Sequence, residues 1–378
     1  MIDSHIEESP DNQWQWSTES HDDPDDSILM RIDDFFQKHF PNVFQSSQAS
    51  EVLLWKIKEN NPFGRGHLTV ATTELGEVVG IASAAPRQIK LHGRILNAVE
   101  VGDTFTAPFF RTNGRHRDNG VGSPPSNFEI DPEYLTKSVF GRLMYETLSR
   151  ARESGFELAY GFPNEFSLRP YLRRFKFNES NGGELYSFYL LGQNKPIKMF
   201  VPYYLQRTFI KFVRLINVLR EINLIEMDYD TWVKERASLE TREILDTPLI
   251  NKTPKYFHYR YLSHPVNEYF FYKYEEFSKR RTHLFVVRKK LDNSLQVVEA
   301  PTKIGPLSLL IATDEIRKQF NKNCRLLIWR RVMGFEALRY HLVGFLGLNN
   351  LHFIYCWLNK ERTEINLDSL NLGDSDNG

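Results

Sequence analysis

The spacing of apolar residues predicts two helices and a series of strands in the first third of the chain. Six apolar residues lie at helical spacing between the possible cap Ser27 and Pro41: Ile28, Leu29, Ile32, Phe35, Phe36 and Phe40. "EVLLWKIKEN" at residues 51–60 predicts a second helix. Residues 66–108 form short β-rich runs broken by the hairpin signals "LGE" and "LHGR", so the predicted sheet is at least partly antiparallel.

A longer amphipathic helix is predicted for residues 137–154, and Gly155 follows it as a natural C′ residue. Its apolar face consists of Val139, Phe140, Leu143, Met144, Thr147, Leu148 and Ala151. A strand, "FELAYGFPN", then a short helix, "SLRPYLRRFKF", and a closing strand, "LYSFYLLG", complete this part of the chain. The order of elements indicates an α/β domain of mixed α+β type that ends near residue 193.

The flanking segments have different patterns. Residues 1–26 are acidic and poor in aliphatic side chains, which predicts a disordered arm. From residue 196 to about 235, apolar and basic residues interleave; a helix connecting two domains is favoured over a helix lying on a membrane surface. Farther on, "FHYRYLSHP" repeats the pattern of "LLWKIKENNP" at 53–62, which suggests a second copy of the first domain. The chain is therefore predicted to consist of a disordered arm (1–26), a first domain (27–193), a helical linker (194–250), a second domain (251–362) and a flexible tail (363–378).

Composition narrows the possible partners. Lysine plus arginine and aspartate plus glutamate number 48 each among 378 residues, so no overall field attracts nucleic acid, and no nucleic-acid partner is expected. The first residues lack the basic start and apolar run of a secretory signal, and no apolar stretch is long enough to span a bilayer. A cytoplasmic protein is therefore expected. The two cysteines and the histidine spacing indicate neither a disulfide framework nor a metal site.

The main chemical candidate is a strand followed by a helix N-terminus. "VEVGDTFTAPFFR" at 99–111 precedes the helix that starts with "KSVFGRL" at 137, and a polar insertion, 112–136, separates them. Backbone N–H groups at a helix N-terminus favour anions, and Arg111 and Lys137 would add positive charge. In the alternative interpretation, Thr136 or Ser138 only caps a helix beside a long surface loop.

A second group of polar residues surrounds the same strand. Asp103 and Glu100 are carboxylates that could accept a proton from an amine, and Tyr171 is a phenol that could return one to a thiolate. Asn164 and Ser167 follow the next strand. Each also has a plain structural interpretation, as a residue at a strand end, a turn or a helix cap.

Together, "GDTFTAPFFR", "KSVFGRLMYETLSRARESGF" and "LAYGFPNEFSLRPYLRRFKF" resemble the coenzyme A core of GNAT-type N-acetyltransferases, especially the long branch with two such folds in tandem. The resemblance covers roughly residues 50–190, and "YFHYRYLSHP" to "IWRRV" resembles the degenerate second fold. It implies a central mixed, mostly antiparallel sheet flanked by helices, followed by a second GNAT-like domain.

The resemblance also implies roles for individual residues. In the family, backbone groups of the strand hold the pantetheine arm, and the following loop and helix N-terminus hold the pyrophosphate. The implied coenzyme-binding residues are Phe105, Thr106, Ala107, Arg111, Lys137, Ser138, Val139, Phe140, Asn164 and Ser167. The implied proton-transfer residues are Asp103, Glu100 and Tyr171. No metal is implied.

The function that these residues imply is an acetyl-CoA-dependent N-acyltransferase that acts on a primary amine of a small molecule. An amino sugar is the substrate suggested by analogy with similar tandem proteins. Thr136 and Ser138 stand where the family has glycine, and the 112–136 insertion precedes them; a catalytically inactive binding or scaffolding protein is therefore the alternative. An aminoacyl transferase of the Fem type would need a tRNA-binding surface, which the balanced charge does not support.

Overall fold

The structure is a computed structural model that describes fourteen stretches of the chain. They are residues 16–41, 48–58, 60–91, 94–112, 138–163, 165–179, 185–190, 222–242, 250–276, 281–290, 294–301, 304–320, 326–331 and 346–358. Residues 113–136 of the predicted insertion 112–136, Lys137, Asn164 and the predicted tail 363–378 lie outside these residues.

Within the described residues, the first sheet has seven strands, in the order β1-β2-β3-β4-β5-β14-β6. Their bounds are β1 Trp16–His21, β2 His67–Thr73, β3 Val78–Leu91, β4 Arg94–Thr106, β5 Leu158–Gly161, β6 Asn178–Glu179 and β14 Ile354–Trp357. Only β4 and β5 run parallel among these neighbours. The mixed, mostly antiparallel sheet predicted from the sequence is confirmed.

The second sheet repeats the first, strand for strand. Its strands are β7 Leu185–Leu190, β8 Ile222–Met227, β9 Tyr269–Glu276, β10 Arg281–Lys289, β11 Leu295–Glu299, β12 Leu326–Arg331 and β13 Leu346–Leu351. Their order is β8-β9-β10-β11-β12-β7-β13, and only the β11–β12 pair is parallel. The predicted second copy of the fold is therefore present, and its first strand is β8.

Each half contributes one strand to the sheet of the other half. Strand β7 follows the first half in sequence but lies between β12 and β13, whereas β14 comes from the end of the second half and lies between β5 and β6. The prediction that "LYSFYLLG" closes the first sheet is wrong, and the boundary at residue 193 does not separate the two sheets. The alternating pattern of a strand predicts its conformation but not its partners, which are set by contacts distant in sequence.

Two further sequence predictions are corrected at the edges of the sheets. Trp16–His21 is a strand rather than part of a disordered arm, and it pairs antiparallel with β2 along its whole length. Asp25 caps the first helix, accepting a hydrogen bond from the Ile28 N–H at 2.9 Å, so acidic residues here define a helix start. Residues 222–227, predicted as part of a helical linker, form β8, the edge strand of the second sheet.

Eight α-helices accompany the strands in the described part of the chain. They are α1 Asp26–His39, α2 Gln48–Ile57, α3 Pro108–Thr112, α4 Val139–Glu153, α5 Glu165–Arg174, α6 Tyr229–Arg242, α7 Pro254–Phe257, which continues as a π-helical turn over His258–Leu262, and α8 Pro306–Phe320. The core of the first half has two layers: α1 and α2 cover one face of the sheet, and α4 and α5 cover the other. Helix α8 covers the second sheet in the way that α4 covers the first.

A third hydrophobic core joins the two halves. It contains Leu158 and Tyr160 of the first sheet together with Phe271 and Val286 of the second. Trp55 and Tyr259 lie at matching positions of the sequence repeat and stack with ring centroids 4.5 Å apart. The Trp55 Nε1–H donates to the Tyr259 carbonyl at 3.3 Å, and the Tyr259 hydroxyl donates to the Trp55 carbonyl at 2.9 Å. This reciprocal pair makes the halves one packed unit.

Candidate active site

The candidate site begins where strands β4 and β5 stop pairing. Their parallel ladder covers three residue pairs and ends with Glu100 opposite Tyr160. Strand β4 continues to Thr106, whereas β5 ends at Gly161. No described strand pairs with that edge of β4 beyond Glu100.

Gly161 permits the close approach of the two strands at this point. A Cβ atom at Gly161 would lie 2.7 Å from the carbonyl oxygen of Val101 in β4, closer than real Cβ atoms come to backbone. We expect Gly161→Ala to move β5 away from β4 and to lower the free energy of unfolding by about 1–3 kcal/mol, as overpacking does. Urea unfolding measures the change. The control is Gly155→Asn, because a Cβ there meets no atom within 4 Å and asparagine tolerates the positive φ; equal losses in both variants would contradict this role.

Asp103 occupies a bulge in β4 and forms a buried ion pair. Its φ is +48°, unusual for a residue other than glycine, and the bulge lies opposite the step from Ile81 to Ser83 in β3. The Lys56 Nζ donates to Asp103 Oδ2 at 2.5 Å, and the Ser83 hydroxyl donates to the same oxygen at 3.1 Å. The side chains of Lys56 and Asp103 are each only 3% exposed. The predicted proton acceptor is thus held by a cation from helix α2.

The second candidate carboxylate is held in a similar way. Glu100 is buried, and the Arg87 Nη2 donates to its Oε2 at 3.2 Å. Arg87 is itself buried and also donates to the carbonyl of Pro86 at 2.7 Å. Glu100 and Asp103 lie three residues apart in β4, and each has a cationic partner that the sequence did not reveal.

Tyr171 reaches the bulge from helix α5. Its hydroxyl lies 3.1 Å from the Thr104 Oγ1, and its ring packs edge-on against Phe140 of α4. Burial raises the pKa of Tyr171 to about 12, against the effect of the Thr104 hydrogen bond. Because a thiol has a pKa of about 8.5, complete proton transfer from such a phenol to a thiolate costs about 5 kcal/mol. Tyr171 can therefore donate a hydrogen bond at neutral pH more readily than it can release its proton.

The N-terminus of α4 is capped by Ser138, the residue just before the helix. The Ser138 hydroxyl accepts a hydrogen bond from the Gly141 N–H at 3.1 Å, so the cap interpretation is confirmed for Ser138. Arg174, at the end of α5, donates from Nη1 to the Ser138 Oγ at 3.2 Å. The sequence prediction missed Arg174; the paired arginines of "YLRRF" would have been a signal, but only the packing of α5 beside α4 places one of them at the helix N-terminus.

The other predicted coenzyme-binding residues that the structure describes lie in or next to β4, α3, α4 and α5. Arg111, in α3, donates from Nε to the Thr106 carbonyl at 2.8 Å, and its guanidinium lies over the Phe40 ring. The Ala107 N–H donates to the carbonyl of Val79 at 2.9 Å, which fixes the end of β4. The remaining described candidates lie in the elements predicted for them: Phe105 and Thr106 in β4, Val139 and Phe140 in the first turn of α4, and Ser167 in α5.

The corresponding strand of the second half ends in a closed polar cluster. Lys252 Nζ donates to both oxygens of Glu299, at 2.9 and 3.0 Å, and the Tyr261 hydroxyl donates to Oε1 at 2.7 Å. Burial raises the pKa of Glu299, but Lys252 and Arg236 outweigh it and hold that pKa below its ordinary value. The polar groups at the end of β11 thus satisfy one another.

Two general findings apply to the part of the chain that the structure describes. No group of three or more His, Cys, Asp or Glu side chains in it is placed to hold a metal ion. None of its helices combines the length and the apolar character needed to cross a membrane.

Comparison with solved structures identifies the fold. A tandem GNAT protein from the clavulanic acid biosynthesis pathway aligns with a TM-score of 0.53 and 10% identity, over 92% of this chain and 100% of that chain. A GCN5-related N-acetyltransferase from Kribbella flavida aligns with a TM-score of 0.51 and 14% identity, over 90% of this chain and 72% of that chain. A glucosamine N-acetyltransferase region of a fungal multi-domain GH3 β-N-acetylglucosaminidase aligns with a TM-score of 0.54 and 9% identity, over 90% of this chain and 38% of that chain.

No protein-family model and no curated protein matches the chain in sequence. The fold is nevertheless a tandem GNAT fold, as the sequence resemblance implied. At such low identities the likeness concerns the fold alone.

Proposed function

We propose that the protein is an acyltransferase that uses acetyl-CoA to acylate a primary amine of a small molecule, and that the first half carries the site. The observation that supports this most is that the β4–β5 ladder ends at Glu100 and Tyr160, whereas β4 continues through Phe105, which lies close to Val139 at the N-terminus of α4. The free edge of β4 suits an extended pantetheine arm, and the N-terminus of α4 suits a pyrophosphate. Arg174 joins Arg111 and Lys137 as a cation for that group.

Acetyl-CoA would supply the acyl group as a thioester, and the residues of the chain would position it and move protons. The backbone of Phe105, Thr106 and Ala107 would bind the arm. Asp103 or Glu100 would accept the amine proton at a carboxylate oxygen, directly or through water. Tyr171 would hold its hydroxyl proton toward the sulfur as a hydrogen-bond donor, in keeping with its raised pKa. Asn164 and Ser167 would bind the arm from the α5 side.

The acceptor is proposed to be a small primary amine, and an amino sugar is the class we favour. A structure with the same fold is named a glucosamine N-acetyltransferase region, which makes this class the first to test. The alternative is a catalytically inactive binding protein. The observation that favours the alternative is Ser138, whose side chain already occupies one N–H group of the first turn of α4.

Calorimetric titration with acetyl-CoA separates the two proposals. We expect a binding heat and a rise in the unfolding midpoint, since ligand at 100 times its Kd adds about 2.7 kcal/mol of stability. Arg174→Ala should weaken binding at least about tenfold, the loss of one charge-assisted contact. The matched control is Arg173→Ala, which removes an exposed neighbouring arginine and should bind as the wild type does.

The result that would overturn the acyltransferase proposal is the absence of both heat and thermal stabilisation at millimolar acetyl-CoA. If binding occurs, turnover with glucosamine and other small amines tests the catalytic part. Tyr171→Phe should then lower kcat more than it raises KM, because a hydrogen bond made to the leaving sulfur acts in the transition state.

A further inference from the structure

A Ser–His–Asp arrangement lies at the opposite end of α4 from the proposed coenzyme site. The Asp22 Oδ1 lies 3.0 Å from the His67 Nδ1, and the His67 Nε2 lies 3.0 Å from the Ser154 Oγ. Three different segments supply these residues: Asp22 follows β1, His67 begins β2 and Ser154 is the C-cap of α4. Helix α4 has 15 residues, so about 22 Å of helix separates Ser154 from the coenzyme site.

The hydrogen bonds of this group favour one tautomer of the neutral ring. A carboxylate can only accept, so Asp22 requires the proton on His67 Nδ1. The Nε2 atom is then an acceptor for the Ser154 hydroxyl. This is the order of donors and acceptors by which a histidine activates a serine, and such groups are recognised by geometry and not by position in sequence.

Asp22, His67 and Ser154 all line one cleft at the surface. Ser154 is exposed, while the His67 side chain is only 8% exposed and is held from both sides. Gly64 and Gly155 form part of the cleft wall with their backbone alone, and a Cβ atom at either position would meet no atom within 4 Å. Arg65 and Asn97 also line the cleft.

We propose that Ser154 is a nucleophile that attacks small carboxylic esters, with His67 as its general base and Asp22 as the group that orients the imidazole. The Oγ–acyl bond forms and the bond to the leaving oxygen breaks, while the Ser154 proton passes to His67 Nε2 and on to that oxygen. Water then attacks the acyl-serine and returns a proton to Oγ through the same nitrogen, so the products are a carboxylic acid and an alcohol.

Side chains would stabilise the developing oxyanion here. The N–H groups of Ser154, Gly155 and Phe156 donate to carbonyls of α4, at 2.9, 3.0 and 3.1 Å, so they do not form an oxyanion hole. Arg65 and Asn97 line the same cleft and carry N–H donors on flexible side chains. A site of this kind should react with activated esters more readily than with amides.

The test is covalent labelling with a fluorophosphonate, which adds phosphonate to an activated serine with loss of fluoride. We expect the full chain to be labelled at Ser154, located by peptide mass, and to hydrolyse p-nitrophenyl acetate. Ser154→Ala should abolish both. Asp22→Asn changes a half-exposed side chain and should slow labelling at least about tenfold through the lost orientation of His67.

Ser263 provides a matched control inside the same chain. Its Oγ lies 3.2 Å from the His258 Nδ1, and it caps the π-helical turn as Ser154 caps α4. Ser263→Ala should leave labelling unchanged. No labelling of Ser154 in the native protein, or equal labelling of Ser154 and Ser263, would overturn the proposal and leave Ser154 as a helix cap. The readout does not involve acetyl-CoA, so it is independent of the proposed acyltransferase.

Discussion

Neither half of the chain should fold when it is expressed alone. A fragment that ends between β7 and β8 lacks β14, which lies in the interior of the first sheet between β5 and β6. The segment removed with it buries Phe353, Ile354, Tyr355, Cys356 and Trp357. At about 1.5–3 kcal/mol per buried side chain, its loss costs about 8–15 kcal/mol, which equals the whole stability of a typical domain.

Mixing the two fragments should restore the fold. We expect each fragment alone to give no near-ultraviolet circular dichroism and no cooperative thermal transition, and the mixture to give both and to elute as a 1:1 complex. The control is the intact protein cleaved between residues 191 and 221, which should keep its native spectrum. A cooperative transition of the N-terminal fragment by itself would show that the exchanged strands are dispensable.

Breaking the Lys56–Asp103 ion pair should strongly destabilise the protein. Both side chains are 3% exposed, so removing either partner leaves a charge buried without compensation, at a cost of about 3–5 kcal/mol. We expect such losses for Lys56→Met and for Asp103→Asn, measured by urea unfolding. Asparagine is the suitable replacement at Asp103 because it tolerates the positive φ.

The double variant Lys56→Met/Asp103→Asn should lose at least about 2 kcal/mol less than the sum of the single losses. Lys38→Met is the matched control: Lys38 pairs with Glu77 at 3.6 Å with both side chains more than half exposed, and its loss should stay within about 0.5 kcal/mol. Additive losses at Lys56 and Asp103 would mean that the buried pair is not coupled. The same measurements are needed before any lower turnover of Asp103→Asn is ascribed to proton transfer.

Local patterns predicted most elements of the fold. The apolar period of residues 28–40 corresponds to α1, and Gly155 has the positive φ expected of a residue that ends a helix. The match between "LLWKIKENNP" and "FHYRYLSHP" corresponds to the stacked pair Trp55 and Tyr259. These predictions succeeded because helix period, turn chemistry and short repeats are properties of neighbouring residues.

The features that sequence did not predict depend on distant contacts. The pattern of "LYSFYL" shows that β7 forms, but not that it joins the second sheet. Lys56 resembles a solvent-facing residue of an amphipathic helix, and only the fold places its amine on Asp103, 47 residues away. Arg174 and the Asp22–His67–Ser154 group were missed for the same reason, because each unites segments far apart in the chain.

The exchanged strands also set the order of events on the ribosome. Strand β5 lies between β4 and β14. It ends at Gly161 and β14 ends at Trp357, so 357 − 161 = 196 further residues must be made before β5 can pair with β14. At 5–20 residues per second, that interval is about 10–40 s. During this time the nascent first sheet exposes an open edge at β5, and the emerging β7 has no partner strand. We expect chaperones that shield such edges to raise the yield of this protein more than that of a chain whose two domains close in turn.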